Sequence, residues 1–238
     1  MRNDLVVLIL ATAATCPLGL ALGHSWLLPA LNALPAHLVL VHRLRKGERG
    51  GAVRAMLWWA ATLAIVGTLC MAVWPAPVDA VIVNGPAEQA ETLSWLRTGH
   101  GVDGSVRLFL PRQLGLVVVF TALSLTSVSA LSLLLGAVLL NAVSFSVASL
   151  GRAGVPTWAV VTLGWPPWTI ATGAALCTLA VVLAEPLLFR LFPGARQRLK
   201  VVGRMPYYIA VLSGLTAAWV LQAALGPLRG HWLRHLLP

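Results

Sequence analysis

Hydrophobic and polar positions along this chain fall into long blocks, and the most informative block runs from Gln113 to Leu150. It contains 38 consecutive residues without an Asp, Glu, Lys or Arg. One straight helix of that length would extend about 57 Å, nearly twice the roughly 30 Å hydrocarbon core of a bilayer. The block therefore predicts a helical hairpin. Its break is expected at residues 126–129, where small or hydroxyl-bearing residues separate two leucine-rich halves.

Five further apolar segments are long enough, or nearly so, to cross a bilayer. With the hairpin they predict an all-α, polytopic transmembrane helical bundle of about seven helices, forming a single integral membrane domain over residues 1–238. Residues 5–23 could instead be the core of a signal peptide, which would leave six helices. The predicted spans are approximately 5–23, 26–41, 52–74, 113–129, 131–150, 168–188 and 207–225.

The segment 26–41 is short for a span and contains Pro29, Asn32, Pro35 and His37. Because each proline lacks a backbone N–H and clashes with the preceding turn, we expect its outer half to be kinked or unwound. Broken helices of this kind can form binding sites near the middle of the bilayer. The plainer interpretation is a bent helix whose Asn32 and His37 bond to a neighbouring segment.

The longest polar region covers residues 75–112 and holds four of the seven acidic residues. Within it, Asn84-Gly85-Pro86 indicates a helix start and Gly99 a helix stop. We expect a short amphipathic helix over about 86–98 on the outer membrane surface. Pro111 should then open the first helix of the hairpin.

Residues 151–167 are too short, and too interrupted by glycine and proline, to cross the membrane. Tryptophan is enriched at membrane interfaces, and Trp158, Trp165 and Trp168 fall in or beside this segment. The segment is therefore predicted to be interfacial or re-entrant. At the carboxyl end, residues 227–238 are expected to form a basic outer tail.

Composition supports the membrane class. The chain is 58% hydrophobic and 10% charged, against about 25% charged in soluble domains. In the predicted topology, eleven of the 17 Lys and Arg residues lie in the same compartment as the amino terminus, and six lie in the opposite compartment. By the positive-inside rule, this bias predicts a multi-pass protein of the bacterial cytoplasmic (inner) membrane, with its amino terminus inside and its carboxyl terminus outside.

The net charge of +10 does not indicate a nucleic-acid partner, because the basic residues lie between apolar spans rather than on a solvated face with aromatics. The expected partners are the lipid bilayer and other membrane protein subunits.

Glu185 is the one carboxylate inside a predicted span. A charge within the membrane is costly enough to suggest a function. However, Glu185 lies about one turn from Arg190 near the inner boundary, so a structural ion pair or an interfacial position is the plainer interpretation.

Asn141 lies midway along the second hairpin helix among small residues, a composition typical of close helix packing. The alternative is that Thr121, Ser124, Asn141 and Ser144 coordinate a solute.

On the outer face, Glu88, Glu91, His100 and Asp103 have the side chains needed for acid–base or metal chemistry. Their spacing matches no known metal motif, and a solvated helix followed by a turn would carry the same residues.

His231 and His235 share a helical face, but a basic tail on lipid headgroups explains them equally well. Cys16, Cys70 and Cys177 lie in apolar segments without zinc-site spacing. We predict no catalytic residue, no metal and no cofactor.

The function expected from the sequence is a non-enzymatic accessory or scaffold subunit of a membrane complex, because small-residue faces are abundant and intramembrane ionisable residues are scarce. One alternative is a small-solute permease that uses the segment 26–41 and the hairpin 113–150. A second is a membrane enzyme with its site on the outer face.

The hairpin with Asn141 and the following Gly164–Trp168 segment resembles the arrangement in the stage II sporulation protein M group. The resemblance covers less than a third of the chain, and no residue role is carried across.

Overall fold

The fold is entirely helical over the part of the chain that the computed structural model describes, residues 2–99, 101, 104–194 and 203–236. These residues form ten helices and no strand. The helices are α1 (Arg2–Ala21), α2 (Leu27–Arg45), α3 (Arg49–Val73), α4 (Pro75–Val81), α5 (Gly85–Thr98), α6 (Val106–Thr126), α7 (Ala130–Arg152), α8 (Thr157–Leu163), α9 (Pro167–Leu191) and α10 (Met205–Leu236).

Seven of these helices, α1, α2, α3, α6, α7, α9 and α10, are long and apolar enough to cross a bilayer. This confirms the predicted all-α bundle and the predicted number of spans. The short helices α4, α5 and α8 gather at one end of the bundle, which we call the α5 end. The opposite end contains Glu185 and the start of α3, and we call it the Glu185 end.

The hairpin prediction is confirmed: α6 and α7 are joined by three residues, 127–129. Val128 and Ser129 have φ values of +49° and +62°, a backbone conformation that residues other than glycine seldom adopt. Hydrogen bonds hold this turn in place. The Ser129 hydroxyl donates to the Ala180 carbonyl of α9 at 2.6 Å, and the Ser127 hydroxyl donates to the Leu123 carbonyl at 2.6 Å.

The structure corrects the expectation for Pro111 and part of the expectation for 26–41. Pro111 does not open the hairpin, because α6 begins at Val106 after an extended Ser105. Helix α2 is continuous from Leu27 to Arg45, so its outer half is not unwound, while a kink at Pro35, inside the helix, stays a prediction. Pro29 sits in the first turn, where a backbone donor has no partner within the helix to lose.

Helix α9 is the most deeply buried of the seven helices that could cross a bilayer. Along its most apolar 18 residues, α9 is 67% buried, whereas the corresponding stretch of α6 is 17% buried. Small residues allow close contacts between several helices. A Cβ built on Gly19 would lie 3.0 Å from the Leu28 Cα, and one on Gly67 would lie 3.1 Å from the Ser144 hydroxyl. Helix α6 therefore stands at the periphery, while its neighbours pack tightly.

At the α5 end, helix α5 confirms the predicted 86–98 element and ends at Gly99 with φ +76°. The predicted tail 227–238 is not a separate segment, because α10 continues through Pro227 to Leu236. Packing explains the extension. Leu233 is fully buried, and the Arg234 side chain donates to the Leu96 carbonyl of α5 at 2.7 Å.

Candidate functional site

Helix α6 stands away from α7 and α9 and leaves a cavity of about 480 Å³, which we call the hairpin cleft. Helix α3 contributes Trp59 and Ala60 to its wall, and α5 and α10 close one end. Most of the wall is apolar. Its large aliphatic and phenylalanine members are Phe109, Leu116, Val119 and Phe120 of α6, Leu133, Leu135, Leu139, Leu140, Val143, Val147 and Leu150 of α7, and Leu176 of α9.

The cleft is elongated along the bundle axis. Its wall follows α7 from Ser132 to Leu150. At 1.5 Å per residue this corresponds to about 27 Å, which is most of the roughly 30 Å hydrocarbon thickness of a bilayer. The cleft is therefore shaped for a long, narrow molecule.

Charged and amide side chains on the wall lie at the α5 end. They are Glu88, Arg112, Gln113, Gln222 and Arg229. The Arg112 guanidinium forms an ion pair with Glu88, and its Nη1 also donates to Glu91 Oε2 at 3.2 Å. These contacts attach the beginning of α6 to α5. The cleft thus has an apolar body and one polar end.

Arg229 of α10 is held beside the wall by backbone carbonyls and aromatic rings. Its Nε donates to the Leu163 carbonyl at 2.7 Å, and its Nη2 donates to the Gly164 carbonyl at 3.0 Å. The guanidinium carbon also lies 5.9 Å from the Trp95 ring and 5.8 Å from the Trp168 ring, within the range of cation–π contacts. The position of this positive charge is therefore well defined.

Gln113 carries a buried side-chain oxygen and lies on the cleft wall. Its Oε1 atom is buried and has no hydrogen-bond partner among the residues that the structure describes. Buried acceptors are normally paired, because leaving one unpaired costs about 1–3 kcal/mol.

Asn32 and Asn141 lie away from the cleft and bond to each other. The Asn32 amide donates to Asn141 Oδ1 at 3.3 Å, and the Trp59 indole donates to the Asn32 carbonyl at 2.9 Å. These contacts link α2, α3 and α7. His37 also lies on α2, and its Nδ1 has no partner among the described residues.

The solute-coordinating set suggested by the sequence is not brought to the cleft. Thr121, Ser124, Asn141 and Ser144 are all absent from its wall. Ser144 instead faces α3, and its hydroxyl lies 3.4 Å from the Ala64 carbonyl.

Glu185 lies at the end of the bundle opposite the α5 end and is fully buried. Its ion-pair partners are Arg49 and Arg204, whereas the sequence pointed to Arg190. Sequence reasoning missed Arg49 because it is 136 positions away. The available signal was an arginine at the boundary of one apolar span and a carboxylate inside another.

The outer-face candidates divide into two groups. Glu88 and Glu91 are held by Arg112, while His100 and Asp103 lie outside the described residues. Over the described ranges, no group of three or more His, Cys, Asp or Glu side chains could hold a metal ion. His231 and His235 contact each other edge to face, with ring centroids 4.5 Å apart, near the end of α10.

Comparison with family models, curated proteins and solved structures finds no match to this chain. The likeness to the sporulation protein group therefore receives no support. The helices themselves define the class: this is a multi-pass integral membrane protein.

Proposed function

We propose that this protein is a non-enzymatic membrane protein that binds one elongated amphiphile, a lipid or a lipid-like molecule, in the hairpin cleft. The observation that carries this proposal is the combination of a long apolar wall with a single polar end. The apolar tail would lie along α7, and the polar group would lie between α5, α6 and α10.

The size of the cleft supports an occupied site. Small-molecule sites in proteins typically measure about 300–1,000 Å³. The leucine-rich wall suits an apolar chain from the bilayer, whereas a compact polar solute would lose its hydration against it.

Two glycines help to keep the cleft open. Gly115 of α6 and Gly173 of α9 both lie on its wall, and a Cβ built on either would meet no heavy atom within 4 Å. A methyl group at either position would meet no neighbouring protein atom. The room in the cleft therefore depends on small residues in the helices that border it.

An accessory or scaffold role in a membrane complex remains compatible with this binding, since a subunit can hold a lipid. It is tested by affinity purification in a mild detergent, which should recover the same partner subunits each time.

A permease that uses both 26–41 and 113–150 is less well supported, because α2 contributes no residue to the wall. We place the protein in the bacterial cytoplasmic membrane with the amino terminus inside, so that the α5 end faces outward.

Native mass spectrometry of protein extracted in mild detergent tests amphiphile binding. The wild-type protein should retain one lipid-sized molecule per chain. Gly173→Phe should place an aromatic ring in the cleft and strongly reduce retention, while the matched control Gly173→Ala, which adds only one methyl group, should retain the lipid. Equal retention by wild type and Gly173→Phe, or no retention by the wild type, would contradict the proposal.

A further inference from the structure

We infer that Cys16 of α1 and Cys70 of α3 form a redox modification site, at which a quinone dissolved in the bilayer oxidises the two thiols to a disulfide. The site is separate from the hairpin cleft, because neither cysteine lies on the cleft wall. Three features lead to this inference: the contact between the thiols, the small number of metal ligands around them, and the side from which they can be reached.

The two thiols touch, although they are far apart in the sequence. Cys16 is fully buried in the apolar core, and Cys70 packs against that core. Helices α1 and α3 lie side by side, and the two cysteine side chains are joined by a hydrogen bond. A disulfide forms only where two cysteine side chains face each other at short range. Cys16 and Cys70 meet this condition.

The third cysteine is in a different position. Cys177 of α9 is buried, and its thiol lies 3.6 Å from the Met56 carbonyl oxygen. Met56 and Cys70 are both on α3, about 21 Å apart along its axis at 1.5 Å per residue. Cys177 is therefore too far from the other two cysteines to form a bridge, and it provides an internal reference for a buried thiol.

Two thiols can also bind a metal ion, but this pair has too few partners to do so as zinc requires. A structural zinc site uses four protein ligands. Within the ranges that the structure describes, no group of three or more His, Cys, Asp or Glu side chains could hold a metal ion. A disulfide needs only the two sulfur atoms. The pair is therefore better suited to redox chemistry than to zinc.

The pair can be reached from the bilayer. Cys70 is partly exposed, and it lies near the end of α3. Its neighbours Leu69, Val73 and Trp74 are 60%, 78% and 49% exposed. Such apolar surface on a membrane-spanning helix contacts lipid, so a lipid-soluble oxidant can approach Cys70 there. In the proposed orientation this end of α3 faces outward, toward the oxidising side of a bacterial cytoplasmic membrane.

The reaction balances with one quinone for each disulfide. The thiols of Cys16 and Cys70 each give up one proton and one electron, and the two sulfur atoms form an S–S bond. The quinone accepts both electrons and both protons and becomes a quinol. An added dithiol reverses the reaction by thiol–disulfide exchange. The modification is therefore reversible, and it joins α1 covalently to α3.

The experiment uses the full-length protein in liposomes, first reduced and then incubated with a benzoquinone that carries an isoprenoid tail. The protein is unfolded in denaturant, its free thiols are labelled with a maleimide, and the labels are counted by mass spectrometry. The wild-type protein should fall from three labelled thiols to one, with one quinol formed per disulfide and a Cys16–Cys70 cross-link in the peptide map. Three labelled thiols after quinone treatment, or a cross-link to Cys177 or to a second chain, would overturn the inference.

Matched substitutions identify the pair, because each removes one thiol and leaves two. Cys177→Ala should lose both remaining thiols to the quinone, whereas Cys70→Ala should keep both of its own. Cys16→Ala should behave as Cys70→Ala does, so that the comparison does not depend on the folding of one variant. The same number of labelled thiols in Cys177→Ala and in the other two variants would contradict the assignment.

Discussion

Arg49 and Glu185, 136 positions apart in the chain, form an ion pair in which the side chains are only 2% and 0% exposed. The pair joins the start of α3 to α9, and Arg204, just before α10, adds a second contact to Glu185 at 2.7 Å. Three helices are thereby attached at the end of the bundle remote from the polar mouth of the cleft. Burial is costly for each charge alone, so the group is stable only when complete.

Glu185→Gln should destabilise the protein strongly, because it leaves Arg49 buried without a full charge opposite it. The expected loss is about 3–5 kcal/mol. Thermal unfolding in detergent, followed by circular dichroism, measures this. Arg190→Ala is the control, since Arg190 is exposed and should change stability by less than about 0.5 kcal/mol. Similar losses in both variants would show that the Glu185 pair is not the structural contact described.

The Asn32–Asn141 bond should contribute to stability and not to ligand binding. Asn141→Leu should cost about 1 kcal/mol, a typical value for hydrogen bonds between membrane helices. A double-mutant cycle with Asn32→Leu measures the coupling between the two amides. Because Asn141 is not on the cleft wall, lipid retention should be unchanged. Loss of retention in Asn141→Leu would favour solute coordination at this residue instead.

Glycines that bring helices together should respond differently from glycines that border the cleft. Gly19→Ala should destabilise by about 1–3 kcal/mol, because its Cβ would lie 2.6 Å from Leu28 Cδ1 and 3.0 Å from the Leu28 Cα. Gly115→Ala meets nothing within 4 Å and should stabilise by about 0.5–1 kcal/mol through helix propensity. Melting temperatures of the two variants check this, and a loss of stability in Gly115→Ala would show that the space beside α6 is already filled by protein.

The proposed orientation places Lys46 and Arg97 on opposite sides of the membrane. Single cysteines at these positions, introduced after replacing the three native cysteines with alanine, should be labelled by an impermeant maleimide from opposite compartments. In intact cells Arg97→Cys should react, and Lys46→Cys should react only after permeabilisation. Labelling of both from the same compartment would invalidate the topology.

The features that could be predicted from the sequence are those determined by local pattern. The hairpin follows from a charge-free run too long for one crossing, and α5 follows from Asn84 and Gly99, which mark its two ends. Neither inference needs knowledge of which helices touch. For the same reason, most of the span boundaries agree with the structure to within a few residues.

The features that could not be predicted depend on contacts between distant segments. Arg190 was the nearest cation to Glu185 in sequence, but packing selects Arg49 and Arg204. Helix α10 extends past Pro227 because its last turns pack against α5. The hairpin cleft has no signal of its own, since it exists only because α6 stands away from α7 and α9. Gly115 and Gly173 are visible in the sequence, but nothing there shows that they face the same space.

Photo-crosslinking tests occupation of the cleft most directly. The protein is reconstituted with a phospholipid that carries a diazirine near the end of one acyl chain, and the cross-linked residues are mapped by peptide mass spectrometry. Cross-links are expected on cleft-wall residues of α7 such as Leu139 and Val143, suppressed by excess unlabelled phospholipid and reduced in Gly173→Phe. Cross-links confined to exposed positions such as Val118 and Ile209, with none on the cleft wall, would contradict it.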